Sequence, residues 1–411
     1  MSTLYLKKNY FFQIIFNLLK TYTIYLININ KLNMFLPDKD PLQAYKSSSR
    51  SLTRISDIAS QLPKLLLTGT IQNTIDNLKT NDLSVNNIIK SNKKDEIKLA
   101  MVHISFISHA YIWGSNNPAK KLPECLSKPW VKLSNYLGRP PILSYASYCL
   151  DNWYRLNKKN PIALENVGLL TNFLGGVDED WFVTIHVCIE NASSKALHSA
   201  DILAGLNEDN SISDYSNNLK NIVSSLKEVN SIFARMPEKC DPYVYYHRVR
   251  PFIFGTKDNP DLKKGLIYEN QFNNKPQFFR GETGAQSSMI PFLDGALGIY
   301  HTNDHLRHYL NEMRDYMPPE HRRLIEDVET KSNAKHFIQQ SKKLISEYNK
   351  CLEEIRIFRA QHLEFAATYI HKQSQIKNPF GRGGSTITGT GGTPFMKYLK
   401  KHTNETQKQK I

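Results

Sequence analysis

An all-α fold is expected for this chain of 411 residues. Three observations carry the expectation. Apolar residues recur at spacings of three and four along several long stretches, the period of a helix face. Alternating apolar and polar runs, which make half-buried strands, are scarce. A hydrophobic share of 40% beside 22% charged residues is that of a globular chain, and the length suffices for one large or two medium domains. No internal repeat is visible.

Taken in order, residues 1–33 come first. Phe11–Ile27 is apolar but broken by Gln13, Asn17 and Lys20. A spanning helix wants about 20 mostly apolar residues. No small-residue cleavage site follows, and no Arg precedes Arg50, so neither a secretory signal nor a mitochondrial presequence fits. Residues 1–33 are read as an extension outside the fold, upstream of a start at Met34, with a weak membrane anchor as the alternative. Residues 34–138 are read as a small helical domain that includes a helix over Lys98–Trp113. Gly138-Arg-Pro-Pro141 is a breaker and the expected boundary. Residues 139–404 are read as a larger helical domain. Its helices are expected over Ile142–Leu156, Trp181–Leu206, Ser211–Met236, Asp304–Met317 and residues 340–372. Leu219, Ile222, Val223, Leu226, Val229 and Phe233 make the third of these amphipathic. Pro318-Pro319 stops the fourth. Residues 239–290, rich in Gly, Pro and Asn, are expected to be irregular, and an irregular stretch of that length inside a compact domain is functional or disordered. Residues 373–393 read as a mobile polar loop before a short C-terminal helix.

The net charge of +15 raises nucleic acid and acidic membranes as partners. The two ends account for +4 each, however, leaving +7 for the rest. The basic ends are read as solvated, and nucleic-acid binding is not expected. The five cysteines are odd in number, widely spaced and without a Cys-x-x-Cys pair, which argues against a disulfide framework or a cysteine zinc site and for a reducing, cytoplasmic setting.

Leu344, Tyr348, Cys351, Ile355, Phe358, His362, Phe365 and Tyr369 are spaced by alternating four and three, on one helix face. His362 therefore points inward among apolar neighbours. It is either a core histidine bonded to a carbonyl or an axial haem ligand, which needs a neutral imidazole on a rigid helix. Arg359, one turn earlier, would meet a haem propionate or an orienting acid, or simply face solvent. In Cys240–Lys257, Tyr245 and Tyr246 can wall an aromatic slot and Arg250 can grip a carboxylate. Arg280–Ser288 combines glycines that admit close backbone approach with hydroxyls that bond a ligand. It lacks the Lys of a phosphate-binding loop, and neither a zinc-protease helix motif nor a nucleophile elbow occurs in the chain.

These stretches together resemble the indoleamine 2,3-dioxygenase family, particularly its fungal forms. The matching residues are Ser108–Trp113, Leu122–Cys125, Pro140–Leu143 with Tyr145, Trp181-Phe182, Asp241-Pro242 with Arg250, Gly284–Ser288, Tyr316–Arg322, Phe358–His362 and Gly389–Thr393. They run in family order over about residues 40–400. The resemblance implies a small and a large helical domain and one haem b. It implies a monomer in which O2 is inserted across the indole C2=C3 bond of L-tryptophan to give N-formylkynurenine, the first step of the kynurenine pathway towards NAD. It also implies an electron donor that keeps the haem ferrous, and no stable membrane association.

Position by position, the resemblance makes His362 the proximal iron ligand, with Asp294 and Arg359 the pair beneath the haem. Arg250 would bind the substrate carboxylate. Tyr145, Tyr148, Cys149, Trp181, Phe182 and Ile185 would line the indole pocket, with Tyr245 and Tyr246 beside it. Thr283 and Gly284 would lie next to haem and substrate, and Thr390 in the closing loop. Three departures stand out: Tyr245-Tyr246 where a Phe pair is usual, Tyr148 for a small residue, and Glu282 for a Gly. Glu282 would repel the substrate carboxylate, bind its ammonium, or face water. Ile185 offers no distal proton acceptor, and His186 beside it is expected about 100° away on the helix. A haem sensor or carrier without catalysis is the alternative; it would need neither Arg250 nor a closing loop. The related tryptophan 2,3-dioxygenase shares the chemistry but is tetrameric and uses a distal His.

Overall fold

The computed structural model describes residues 33–376, 389–391 and 395–411. Among these the architecture is helical. Two short strand pairs are the exceptions: Lys121–Leu122 parallel to Ile267–Tyr268, and Trp153–Arg155 antiparallel to Val167–Leu169.

Helix α1 (Arg50–Ser60) buries Leu52, Ile55, Ile58 and Ala59 on one face. Three short helices lead to α2 (Lys94–Trp113). Asp95 and Glu96 in its first turn complement the helix dipole. Its apolar residues lie on all sides, as a central helix requires. α3 (Glu124–Leu137) packs on α2 and ends at Gly138, whose φ of 66° suits a residue without a Cβ.

The helix expected over Ile142–Leu156 is not formed. Ala146–Leu150 makes a single π turn, and Trp153–Arg155 is a strand. Asn152 is the cause. Its side-chain amide donates to the Tyr148 and Thr171 carbonyls and accepts from the Thr171 N–H, tying the turn to the returning strand. A side chain that competes for backbone groups in this way ends a helix.

The other expected helices form, with ends shifted by a few residues. α4 (Val177–Gly205) opens on Asp178, Glu179 and Asp180. α5 (Ile212–Ala234) starts with a capping box between Ser211 and Asp214. α6 (Met289–Leu297) packs on α4. α7 (His305–Arg314) is capped by Asp304, and α8 (Pro319–Lys331) begins on a proline, whose missing N–H costs nothing there. α9 (Lys342–Ala366) runs on through a π turn, Ala367–His371. α10 (Phe395–Lys408) packs on α9, which packs on α5, which packs on α4. Residues 239–290 are irregular as expected, interrupted by one-turn helices, among them a π turn at Tyr245–Val249.

One buried apolar cluster runs from Met34 to Tyr369, continuing across residues 138–141. All five cysteines are buried and free. Among the described residues no helix is long and apolar enough to cross a membrane. Of the segment read as an extension, only Asn33 is described; it bonds Asp38 and Ser194. Most of the loop expected over 373–393 likewise lies outside the described residues.

Candidate functional site

A cavity of about 280 Å³ lies between α4, α5, α9 and the 281–287 loop. All its lining residues fall between Tyr145 and His402. Two of the π turns contribute Tyr245, Tyr369 and Ile370 to its wall, and Tyr145, just before the third, lines it too. π turns widen a helix by one residue and re-aim its side chains, so they collect at functional sites.

The apolar stripe of α9 meets the core with Leu344, Tyr348, Cys351 and Ile355. From Phe358 onward it lines the cavity instead. His362 is therefore not packed in the core but faces open space, with the Phe233 ring edge-on at 6.2 Å. Among the described residues nothing hydrogen-bonds its ring. Burial, with His186 as a second cause, holds it down at about 4, so it is neutral at pH 7. Gly284 lines the cavity beside it: a Cβ there would stand 4.0 Å from His362 Cε1, in ordinary contact. A neutral, unbonded imidazole beside that open space fits the axial ligand of a haem.

Arg359 is buried, and its Nη2 donates to Asp294 Oδ2 at 2.6 Å. His301 Nε2 bonds the same oxygen at 2.9 Å and His301 Nδ1 bonds Glu405 at 2.8 Å. Burial pushes Asp294 up, but Arg359 and His301 outweigh it and hold the carboxyl at about 2. Asp294 Oδ1 is enclosed and has no partner among the described residues.

Arg250 is fully buried on the cavity wall, its guanidinium 4.6 Å from the Phe254 ring centre and 5.2 Å from that of Tyr246. It is brought beside the 281–284 loop by a backbone crossing at Gly255 and Gly281. A Cβ on either would overlap the other's peptide nitrogen. Thr283 caps the turn Gly284–Gln286. Gln286 is the tie the sequence reading missed: it accepts the Tyr145 N–H and donates to the Gly281 carbonyl. Glu190, also missed, accepts from the Tyr145 and Ser287 hydroxyls. Thr390 lies on the wall, bonded through its hydroxyl to the Glu282 carbonyl and through its own carbonyl to the Gly255 N–H.

Of the residues expected around the indole, Tyr145, Phe182 and Tyr245 line the cavity, and Phe182 stacks on Tyr245 at 4.7 Å. Tyr148, Cys149, Ile185 and Tyr246 are buried but do not line it. Tyr148 packs between Phe182 and Phe106. Trp181 also does not line it: its indole N–H donates to the Arg235 carbonyl, and Lys239 sits over its ring. The reason is helical phase. Phe182 faces the cavity, and four residues on so does His186, not Ile185. His186 was thus misplaced by the sequence reading, and its i, i+4 spacing from Phe182 is the signal that finds it. Its Nδ1 is 2.7 Å from the Phe182 carbonyl, which makes Nδ1 the donor and leaves Nε2 as an acceptor. Of the three roles open to Glu282, facing bulk water is ruled out. The residue is 3% exposed, on the cavity wall, and burial raises its carboxyl to about 8.

The family described as indoleamine 2,3-dioxygenase matches residues 25–409. Indoleamine 2,3-dioxygenase 1 of Rattus norvegicus is 32% identical over 85% of this chain and 88% of its own length. Indoleamine 2,3-dioxygenase of Saccharomyces cerevisiae is 30% identical over 90% of both chains. A 6-hydroxytryptophan 2,3-dioxygenase of Fusarium equiseti is 30% identical over 75% of this chain and 80% of its own.

Proposed function

The chain belongs to the indoleamine 2,3-dioxygenase family and is a dioxygenase; from that premise we propose that it carries one haem b on His362 and opens the indole ring of L-tryptophan to N-formylkynurenine. The observation that carries the reading is the meeting, on one cavity, of an unbonded neutral imidazole and a fully buried arginine.

When bound, the haem supplies the ferrous iron that takes up and activates O2. The protein's part is binding, orientation and exclusion of water. His362, kept neutral by burial, offers the iron a lone pair. The Asp294–Arg359 pair ties α6 to α9 one turn before His362. Arg250 grips the substrate carboxylate by a bidentate pair, strengthened because the guanidinium is out of water. Phe182, Tyr245 and Tyr145 hold the indole face by aromatic contact. His186 Nε2 accepts the indole N–H, which orients the ring. Thr390 and Gly391 cover the loop side, Gly391 through a 2.7 Å bond from Arg280 to its carbonyl. Holding reactants in this way is a proximity effect and needs no general base.

The reading also takes the chain as a cytoplasmic monomer, supplied with electrons by a separate donor, with lobes 34–138 and 139–404. A haem carrier without catalysis is not favoured, because it has no use for Arg250. The test is an absorbance spectrum of the purified chain, reduced and mixed with L-tryptophan and air. We expect a Soret band and growth of the near-ultraviolet absorbance of N-formylkynurenine. His362→Ala is expected to lose the band. A Soret band without product refutes the catalytic reading.

A further inference from the structure

His301, in the loop between α6 and α7, meets two residues of α10, His402 and Glu405. These two are three positions apart and so share a helix face. One ligand atom from each of the three lies within 4.8 Å of the others. The His301 and His402 ring centres are 4.5 Å apart. The side chains of His301 and Glu405 are 3% and 13% exposed, so they are not a solvated surface group. Both histidines line the cavity.

The hydrogen bonds around His301 do not balance without a cation. Its Nε2 stands 2.9 Å from Asp294 Oδ2 and its Nδ1 stands 2.8 Å from Glu405 Oε2. A neutral imidazole has one N–H to give. If Asp294 takes it, the Nδ1 lone pair points at a carboxylate oxygen, and something positive must lie between them. A proton would serve, but it has no use for a third ligand. His402 supplies one: its Nε2 is enclosed and has no partner among the described residues. The surroundings are those of a metal site. A carboxylate that accepts the far N–H of a histidine fixes the tautomer of a metal ligand, and Asp294 stands in that place. Glu405 is oriented as well. Its Oε1 accepts from the Thr302 hydroxyl at 2.7 Å and the Thr302 N–H at 3.3 Å, with Lys401 at 3.4 Å, which leaves Oε2 for the cation.

We propose that His301, His402 and Glu405 bind a divalent transition-metal ion of the zinc type, which fastens α10 to the loop after α6. Two imidazoles and one carboxylate suit zinc and exclude magnesium and calcium, which take oxygen ligands. Bonds of about 2.0–2.1 Å in a tetrahedron place ligand atoms about 3.4 Å apart, so the three need shift only slightly to close on one ion. Water fills the fourth position. Tyr398 and Leu399 of α10 also line the cavity, so the ion would hold that wall in place.

The test is calorimetric titration of the full, haem-loaded chain with zinc sulfate, after a chelator has removed adventitious metal. Loading with haem keeps His362 from the added zinc. Metal analysis after gel filtration counts the bound ion, and hydrogen exchange follows the amides of α10. We expect one zinc per chain and slower exchange in α10 when it is bound. His402→Ala and Glu405→Gln should each weaken binding about a hundredfold or more, beyond what loss of a merely supporting group costs, and should abolish the slowing. His402→Cys, which keeps a zinc ligand, should retain both. Circular dichroism checks that each variant folds; if one does not, the other two decide. Failure of the wild type to bind zinc would leave His301 a protonated clamp between two carboxylates and overturns the proposal. Binding that survives undiminished in both His402→Ala and Glu405→Gln lies elsewhere and overturns it as well.

Discussion

Replacing Glu282 by Gln should change how stability depends on pH. The carboxyl group has an ordinary value of 4.5 and is raised to about 8 in the folded chain, with burial as the cause. Between those values the folded state holds a proton that the unfolded state releases. Stability is therefore complete below about pH 4.5 and declines as pH rises towards about 8. At about 1.4 kcal/mol for each factor of ten in proton affinity, the full effect is bounded by about 5 kcal/mol. Water admitted by the cavity reduces it, and a gain of at least about 2 kcal/mol for Glu282→Gln over the wild type at about pH 8.5, relative to about pH 5, is the expected result. Tyr145, Tyr148, Cys149 and Tyr245 are all pushed well above their ordinary values, so they do not titrate in this window. The assay is urea unfolding of both haem-loaded proteins across that range. Any pH dependence of haem release is common to the two and cancels. Parallel stability profiles would refute the reasoning, since they would mean that the carboxyl group is solvated or already paired.

Three further outcomes are expected. Arg250→Ala should retain the Soret band while kcat/KM for tryptophan falls about a hundredfold, the scale of a lost buried charge-assisted pair; steady-state kinetics would show otherwise if the carboxylate is held elsewhere. His186→Leu should lower kcat/KM for tryptophan about tenfold and leave 1-methyltryptophan unaffected, because only the former has an N–H to give. Asp294→Ala should cost about 3–5 kcal/mol, since Arg359 stays buried without its carboxylate; a denaturation midpoint equal to that of the wild type would show that Thr406 alone suffices for it.

Much of this was legible in the residues. The stripe on α9 shows its period directly, and His362 stands on it. Arg250 and the 280–288 loop carry residue types that bind anions and admit close approach. The failures are specific. Ile142–Leu156 has enough apolar residues for a helix, but Asn152 captures the backbone groups a helix would use. Its partner there, Thr171, is nineteen residues away, and nothing local announces it. Ile185 was preferred to His186 because the match was made along the sequence, whereas the cavity is read along a helix face. Trp181 failed for the same reason of phase.

The fold class, most of the helices, the buried face of α9 and the identity of its histidine follow from the amino-acid order alone, because helical periodicity and side-chain chemistry are local properties. Three things do not. Whether His362 meets packed side chains or open space depends on where α4, α5 and the 281–287 loop come to rest. Whether Arg250 stands beside Thr283 depends on two glycines, Gly255 and Gly281, crossing at backbone contact. Whether Glu282 faces water or a cavity depends on its carbonyl and N–H being held by Thr390 and Ile253. Each is a contact between segments distant in the chain, and desolvation, which sets the protonation of His362 and Glu282 alike, exists only once those segments have met.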